Sequence, residues 1–174
     1  RWAEREIPQQ RAESKTLLYP FGGPDFLTAY TLFPGAKKFV LFGLEPEGLP
    51  PHPQAIPPYA LAQNLDNLRK SLADQMELGF FVTGEMMEDF RRHDLKGVLP
   101  IFFVQLARTD CRPLEVKRYI LLPGGKKQYL NDWMAPKQTP RDTLVTGVEI
   151  TFLPQASKAG VRTKEELKTL DYLC

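Results

Sequence analysis

Two short apolar segments with a glycine turn between them constrain this chain more than any other feature. Leu17, Leu18, Tyr19 and Phe21 form a run of buried-strand length that Gly22-Gly23-Pro24 stops. Phe26, Leu27, Tyr30 and Phe33 then fall on one face of a helix, and Asp25 sets a carboxylate at its N-terminus, where the helix dipole favours negative charge. Pro34-Gly35 ends that helix, and Phe39 to Leu44 is continuously apolar, as in a strand covered on both faces of a parallel sheet. A strand–turn–helix–strand unit of this kind leaves a cleft at the carboxyl ends of its strands, where such folds place ligands.

The remainder supplies further elements. Residues 2–14 predict a short helix broken near Pro8, an N-terminal extension over 1–14. Pro46, Pro50, Pro51, Pro53, Pro57 and Pro58 predict an extended, helix-free connector over 46–58, a plain spacer or a segment that shapes the cleft. Leu61, Leu65, Leu68, Leu72 and Met76 recur at helical spacing, with Pro57-Pro58 in the first turn, where proline is tolerated. Phe80 to Val82 predicts a short strand, Thr83 the N-cap of a helix closed near Gly97, and Val98 to Ala107 a second strongly apolar strand. Leu114–Leu122 and Lys126–Leu130 read as two strand arms around Pro123-Gly124-Gly125, a loop with Trp133 and Pro136 follows, and Val145–Leu153 is a strand. Thr163 to Glu166 matches a capping box, yet Lys168 to Cys174 also suits a strand, so 163–174 stays open between helix and strand. The sum is a single α/β domain over 1–174, Rossmann-like, with a mixed sheet: a parallel first half and a more β-rich, antiparallel second half.

Composition excludes some classes. In 174 residues, 23 basic side chains face 21 acidic ones, and a net charge of +2 gives no electrostatic case for nucleic acid. Lys117, Arg118, Lys126 and Lys127 predict at most a small basic hairpin surface. No apolar run approaches the roughly 20 residues that a transmembrane helix needs. Cys111 and Cys174 are too few for a disulfide framework or a zinc cage; one disulfide or two unreactive thiols both remain open. His52 and His93 read as solvated or capping residues, and the charge run over 85–94 as a solvated helix face. Met76, Met86 and Met87 read as core filler. No catalytic residue and no metal ligand set is assigned, and oligomeric state is not legible.

The candidate site follows from the turn. Gly22-Gly23 lets backbone approach a ligand, and the next helix offers free N–H groups. Glu45, about twenty residues beyond the turn, can accept hydrogen bonds from a ribose. Over residues 15–48 these features resemble the first two cofactor motifs of Rossmann-type methyltransferases, which implies S-adenosylmethionine as cofactor. The resemblance implies a site of Tyr19, Phe21, Gly22, Gly23, Asp25 and Glu45, with the glycine backbone against the ligand, Asp25 and Glu45 accepting hydrogen bonds, and Tyr19 or Phe21 stacking. The chain departs from that pattern: an acid usually precedes the first glycine and the spacing is G-x-G, whereas here Tyr19-Pro20-Phe21 precedes adjacent glycines and Pro24 removes a backbone donor. Ile56-Pro57-Pro58-Tyr59 likewise lacks the Asn or Asp of the amino-methylating loop.

Tyr19 to Phe26, with Phe42-Gly-Leu-Glu-Pro46 after it, also resembles a group of bacterial proteins without assigned activity that carry a Tyr-Pro-Phe-Ser-Gly-Pro-Asp-Phe motif, often behind an export signal. Gly22 stands where that group tends to have Ser. This resemblance implies a periplasmic or secreted protein, and an active methyltransferase-like protein would instead be cytoplasmic. Two functional expectations follow: a methyltransferase-like, degenerate, small-ligand-binding domain, or an exported structural or protein-interaction module without ligand or catalysis.

Overall fold

The computed structural model describes residues 2–13, 15–78, 95, 97–130, 145–155 and 167–174. Its helices are α1 (Trp2–Glu6), α2 (Pro8–Glu13), α3 (Phe26–Leu32), α4 (Pro58–Leu78) and α5 (Leu99–Arg108). Its strands are β1 (Thr16–Tyr19), β2 (Lys38–Phe42), β3 (Cys111–Leu121), β4 (Lys127–Leu130), β5 (Thr146–Pro154) and β6 (Lys168–Leu173). The six strands make one mixed sheet in the order β1-β2-β6-β5-β3-β4. β1, β2 and β6 run parallel, and β5, β3 and β4 continue the sheet antiparallel. A single α/β domain with a parallel and an antiparallel half is therefore present, but its order differs from the 3-2-1-4-5-6 of a doubly wound Rossmann sheet. β6 resolves the open reading of the last residues as a strand.

One face of the sheet carries the core. Phe39 and Leu41 of β2, Leu170 and Tyr172 of β6, and Val148, Ile150 and Phe152 of β5 are buried beneath Phe26 and Ala29 of α3 and Leu99, Phe102 and Leu106 of α5. The Phe26 ring meets Phe39 and Phe152 edge-on at 5.3 and 5.4 Å. Each buried Phe, Leu, Ile or Val side chain among these contributes about 1.5–3 kcal/mol relative to exposure. The alternation through β2 corrects the expectation of a strand covered on both faces: Phe39 and Leu41 are buried, while Val40 is half-buried and Phe42 exposed.

The apolar run after Gly97 is a helix, not a strand. A continuous apolar run does not reveal its period, and ten residues suit either element. What decides the matter is that α5 lies between the sheet and α4, so opposite sides are both buried: Phe102 and Leu106 join the sheet-side core, and Ile101 packs with Leu68 of α4. Pro100 falls in the first turn, where it costs no helical hydrogen bond. Val98 gives no side-chain cap. Instead the Val98 and Leu99 N–H groups donate to the Pro46 and Glu47 carbonyls, at 3.1 and 3.2 Å.

The connector is thereby pinned at its start. Gly97 (φ +73°) lies so close to Gly48 that a Cβ there would overlap Gly48 backbone. One turn of 3-10 helix, Pro53–Ala55, interrupts the predicted helix-free stretch. The N-terminal extension is docked as well: Arg11 donates to the Thr31 and Leu32 carbonyls at the end of α3. No helix among the described residues is long and apolar enough to cross a membrane. The expectations for Phe80–Val82, the Thr83 helix with Met86 and Met87, the charge run with His93, the Trp133–Pro136 loop and the Thr163 capping box lie outside the described residues, as does the side chain of Met76.

Candidate functional site

The carboxyl ends of β1, β2 and β6 point the same way, and five of the six residues singled out in the sequence meet there. Gly22 and Gly23 are both left-handed (φ +71° and +57°), a conformation that glycine adopts without strain. They fold the turn back over the loop that leaves β2, so that a Cβ on Gly23 would stand 3.1 Å from Glu45 Oε2. Asp25 is buried and occupied on both oxygens: Oδ1 accepts from the Thr28 N–H at 3.1 Å, capping α3, and Oδ2 accepts from the Tyr19 hydroxyl at 3.3 Å. Burial and then the Asp25 charge push the Tyr19 phenol up to about 12. Phe21 stands at the rim, 69% exposed, edge-on to Tyr19 at 5.9 Å.

Glu45 forms the floor. It is 2% exposed, and Oε2 accepts from the Leu44 N–H at 3.2 Å and the Tyr172 hydroxyl at 3.1 Å. The same hydroxyl lies 3.0 Å from the Glu45 carbonyl oxygen. Burial first, and the Glu45 charge second, raise the Tyr172 phenol far above its ordinary value, so it stays a donor at any physiological pH. Gly43 is small because it must be: a Cβ there would overlap the Tyr172 hydroxyl.

Two residues further along each chain segment, a second pair repeats the arrangement. Glu47, also buried, accepts from Arg118 Nε on Oε1 and from Thr146 Oγ1 at 3.2 Å and Cys174 Sγ at 3.3 Å on Oε2. Burial and then the neighbouring Glu47 push the Cys174 thiol up to about 12, so it is no nucleophile at neutral pH. Cys111 and Cys174 are separate free thiols. Among the described residues no cluster of His, Cys, Asp and Glu could hold a metal ion.

The basic hairpin surface expected of residues 117–127 does not form. Arg118 pairs with Glu47 on the helix-covered face of the sheet, while alternation sends Lys117 and Lys127 to the other side. There Lys127 bridges Glu149 (2.7 Å) and Asp171 (2.6 Å), with Lys38 at 3.4 Å from Asp171. The Tyr119 hydroxyl donates to Asp171 at 2.5 Å. Burial would lower the Lys127 ammonium, but the two carboxylates outweigh it and raise it.

Sequence reasoning missed Tyr172, Gly43, Glu47, Arg118, Thr146 and Cys174. The alternation Glu45-x-Glu47 was a readable sign of two carboxylates on one side of the chain. The matching Tyr172-x-Cys174 becomes meaningful only once β6 is known to lie beside β2. Comparisons with protein-family models, with curated proteins and with solved structures found no match.

Proposed function

We propose that this chain is a small-ligand-binding α/β domain, methyltransferase-like in the placement of its site but degenerate in its cofactor contacts. The ligand is a planar, nucleobase-like group stacked on the turn after β1. The observation that carries this reading is the exposed Phe21 ring, propped edge-on by Tyr19 on a turn in which Gly23 rests on Glu45 and Gly22 on Asp25, and whose end is fixed by Asp25. An exposed aromatic on a braced backbone supplies stacking area at small entropic cost.

S-adenosylmethionine in its usual pose does not fit these residues. A ribose would need the Glu45 carboxylate, yet Oε2 already accepts two hydrogen bonds and the Gly23 backbone lies over it. Glu45 and Asp25 brace the turn, and the aromatic rim meets the ligand.

Calorimetric and thermal-shift titration with S-adenosylmethionine, S-adenosylhomocysteine, adenosine and ATP tests the reading. Ligand at a hundredfold its Kd stabilises the fold by about 2.7 kcal/mol. Binding of at least one adenine compound, lost in Phe21→Ala with the fold intact, is the expected result. No heat and no shift with any of them refutes it.

A second reading, an interaction module, is favoured by Leu44 and Leu49, which are 83% and 46% exposed in the segment that follows β2. It predicts that Leu44→Ser abolishes capture of a protein partner while all four compounds leave the chain unbound.

A further inference from the structure

We propose that the groove between α3, α4 and α5 is a binding site for a medium-chain fatty carboxylate, independent of the carboxyl-edge site. The apolar stripe of α4 is only partly covered. Leu68 is buried against Ile101, but Leu65, one turn away on the same helix, is 49% exposed. The space left over is a cavity of about 510 Å³, within the roughly 300–1,000 Å³ of small-molecule sites.

Its walls define the chemistry. Leu27, Leu65, Leu68, Leu72 and Val104 make it apolar, and the two charged residues among its described lining, Arg69 and Arg108, are both cations. Asp66 accepts from Arg69 at 3.0 Å and so reduces that charge. Arg108 has no ion-pair partner among the described residues, which leaves its guanidinium to pair with an incoming anion. An apolar slot with guanidinium groups and, among the described residues, no acid in its lining matches a carboxylate on an alkyl tail, since the planar fork binds both carboxylate oxygens. Gln105 completes the lining, and its Oε1 accepts from the Phe26 N–H at 3.1 Å, which ties this wall to the start of α3. Among the described residues no strand residue lines the groove.

Titration calorimetry of the chain with octanoate, decanoate and dodecanoate, all below micelle formation, and with decanol as neutral control tests the proposal. Saturable 1:1 binding is expected, tightening about fourfold per methylene buried. Decanoate should bind at least tenfold tighter than decanol, and Arg108→Gln should remove that preference without affecting decanol. Ala73→Trp enlarges an exposed lining residue and should abolish binding while circular dichroism and thermal unfolding stay unchanged. No saturable heat, affinity independent of chain length, or equal affinity for decanoate and decanol would each overturn the assignment. So would a concentration-dependent dimer that Ala73→Trp disrupts, because a second copy would then be the occupant.

Discussion

Replacing Tyr172 by Phe removes one oxygen from the centre of the candidate site and little else, because the ring stays fully buried among Phe102 and its neighbours. The hydroxyl is within 3.0 and 3.1 Å of two Glu45 oxygens. A hydrogen bond to a charged group contributes about 1.5–3 kcal/mol. Glu45 keeps the Leu44 N–H, so the middle of that range, about 2 kcal/mol, is expected. For a chain of this length that lowers Tm by about 4–8 °C. Urea unfolding should show a lower midpoint at unchanged m, the signature of altered stability without altered surface exposure. Glu45→Gln and the double variant complete a cycle, in which neighbours in one network couple by about 0.5–3 kcal/mol. A Tyr172→Phe loss under about 0.5 kcal/mol, or additive single effects, would show that the hydroxyl does not hold Glu45, and the brace under the glycine turn would have to be abandoned.

Gly97→Ala should cost more than about 2 kcal/mol in chemical denaturation, since a left-handed φ is compounded by overlap with Gly48 backbone, whereas Gly124→Ala, also at positive φ but with open space around it, should cost only about 1 kcal/mol. Asn64 is buried on α4 with Oδ1 lacking a hydrogen-bond partner among the described residues, so Asn64→Leu should raise stability by about 1 kcal/mol or more in the same assay. Stability should fall as pH rises above about 9, measured by urea midpoint against pH. The unfolded chain then ionises Cys174 and, from about 10, Tyr19, while in the fold both hold their protons to about 12, so the unfolded state binds fewer protons across that window. Lys127 adds to the fall, because its ion pairs stabilise the fold below the unfolded lysine value and are lost above the raised one, and Lys168, lowered by burial, opposes it. Iodoacetamide should accordingly alkylate Cys174 at pH 8 far more slowly in the folded chain than in urea.

Much of the local structure was legible because local chemistry determines it. The glycine turn, the Asp25 cap, the 3.6-residue period of α4 and the alternation of β5 each identify an element within a dozen residues. Val98 to Ala107 was misread because burial on two sides erases the period by which a helix is known. The site was half legible: Tyr19, Gly22, Gly23, Asp25 and Glu45 do converge, but Tyr172, which holds Glu45, and Gln105, which accepts from the Phe26 N–H beside Asp25, are far away in sequence. The sheet order was hidden for the same reason. Nothing near Lys168 announces that this segment lies between β2 and β5.

That placement has a consequence for how the chain is made. β6 is the last of the described strands in sequence, yet it joins β2 to β5, so the parallel and antiparallel halves share no strand pairing until it arrives. On the ribosome the five other described strands emerge before the one that unites them, and β2 and β5 wait with unpaired edges carrying Phe39, Leu41, Ile150 and Phe152. These two edges are therefore the last to be closed. Nascent chains of this protein should depend on holdase chaperones until residues 168–173 are released.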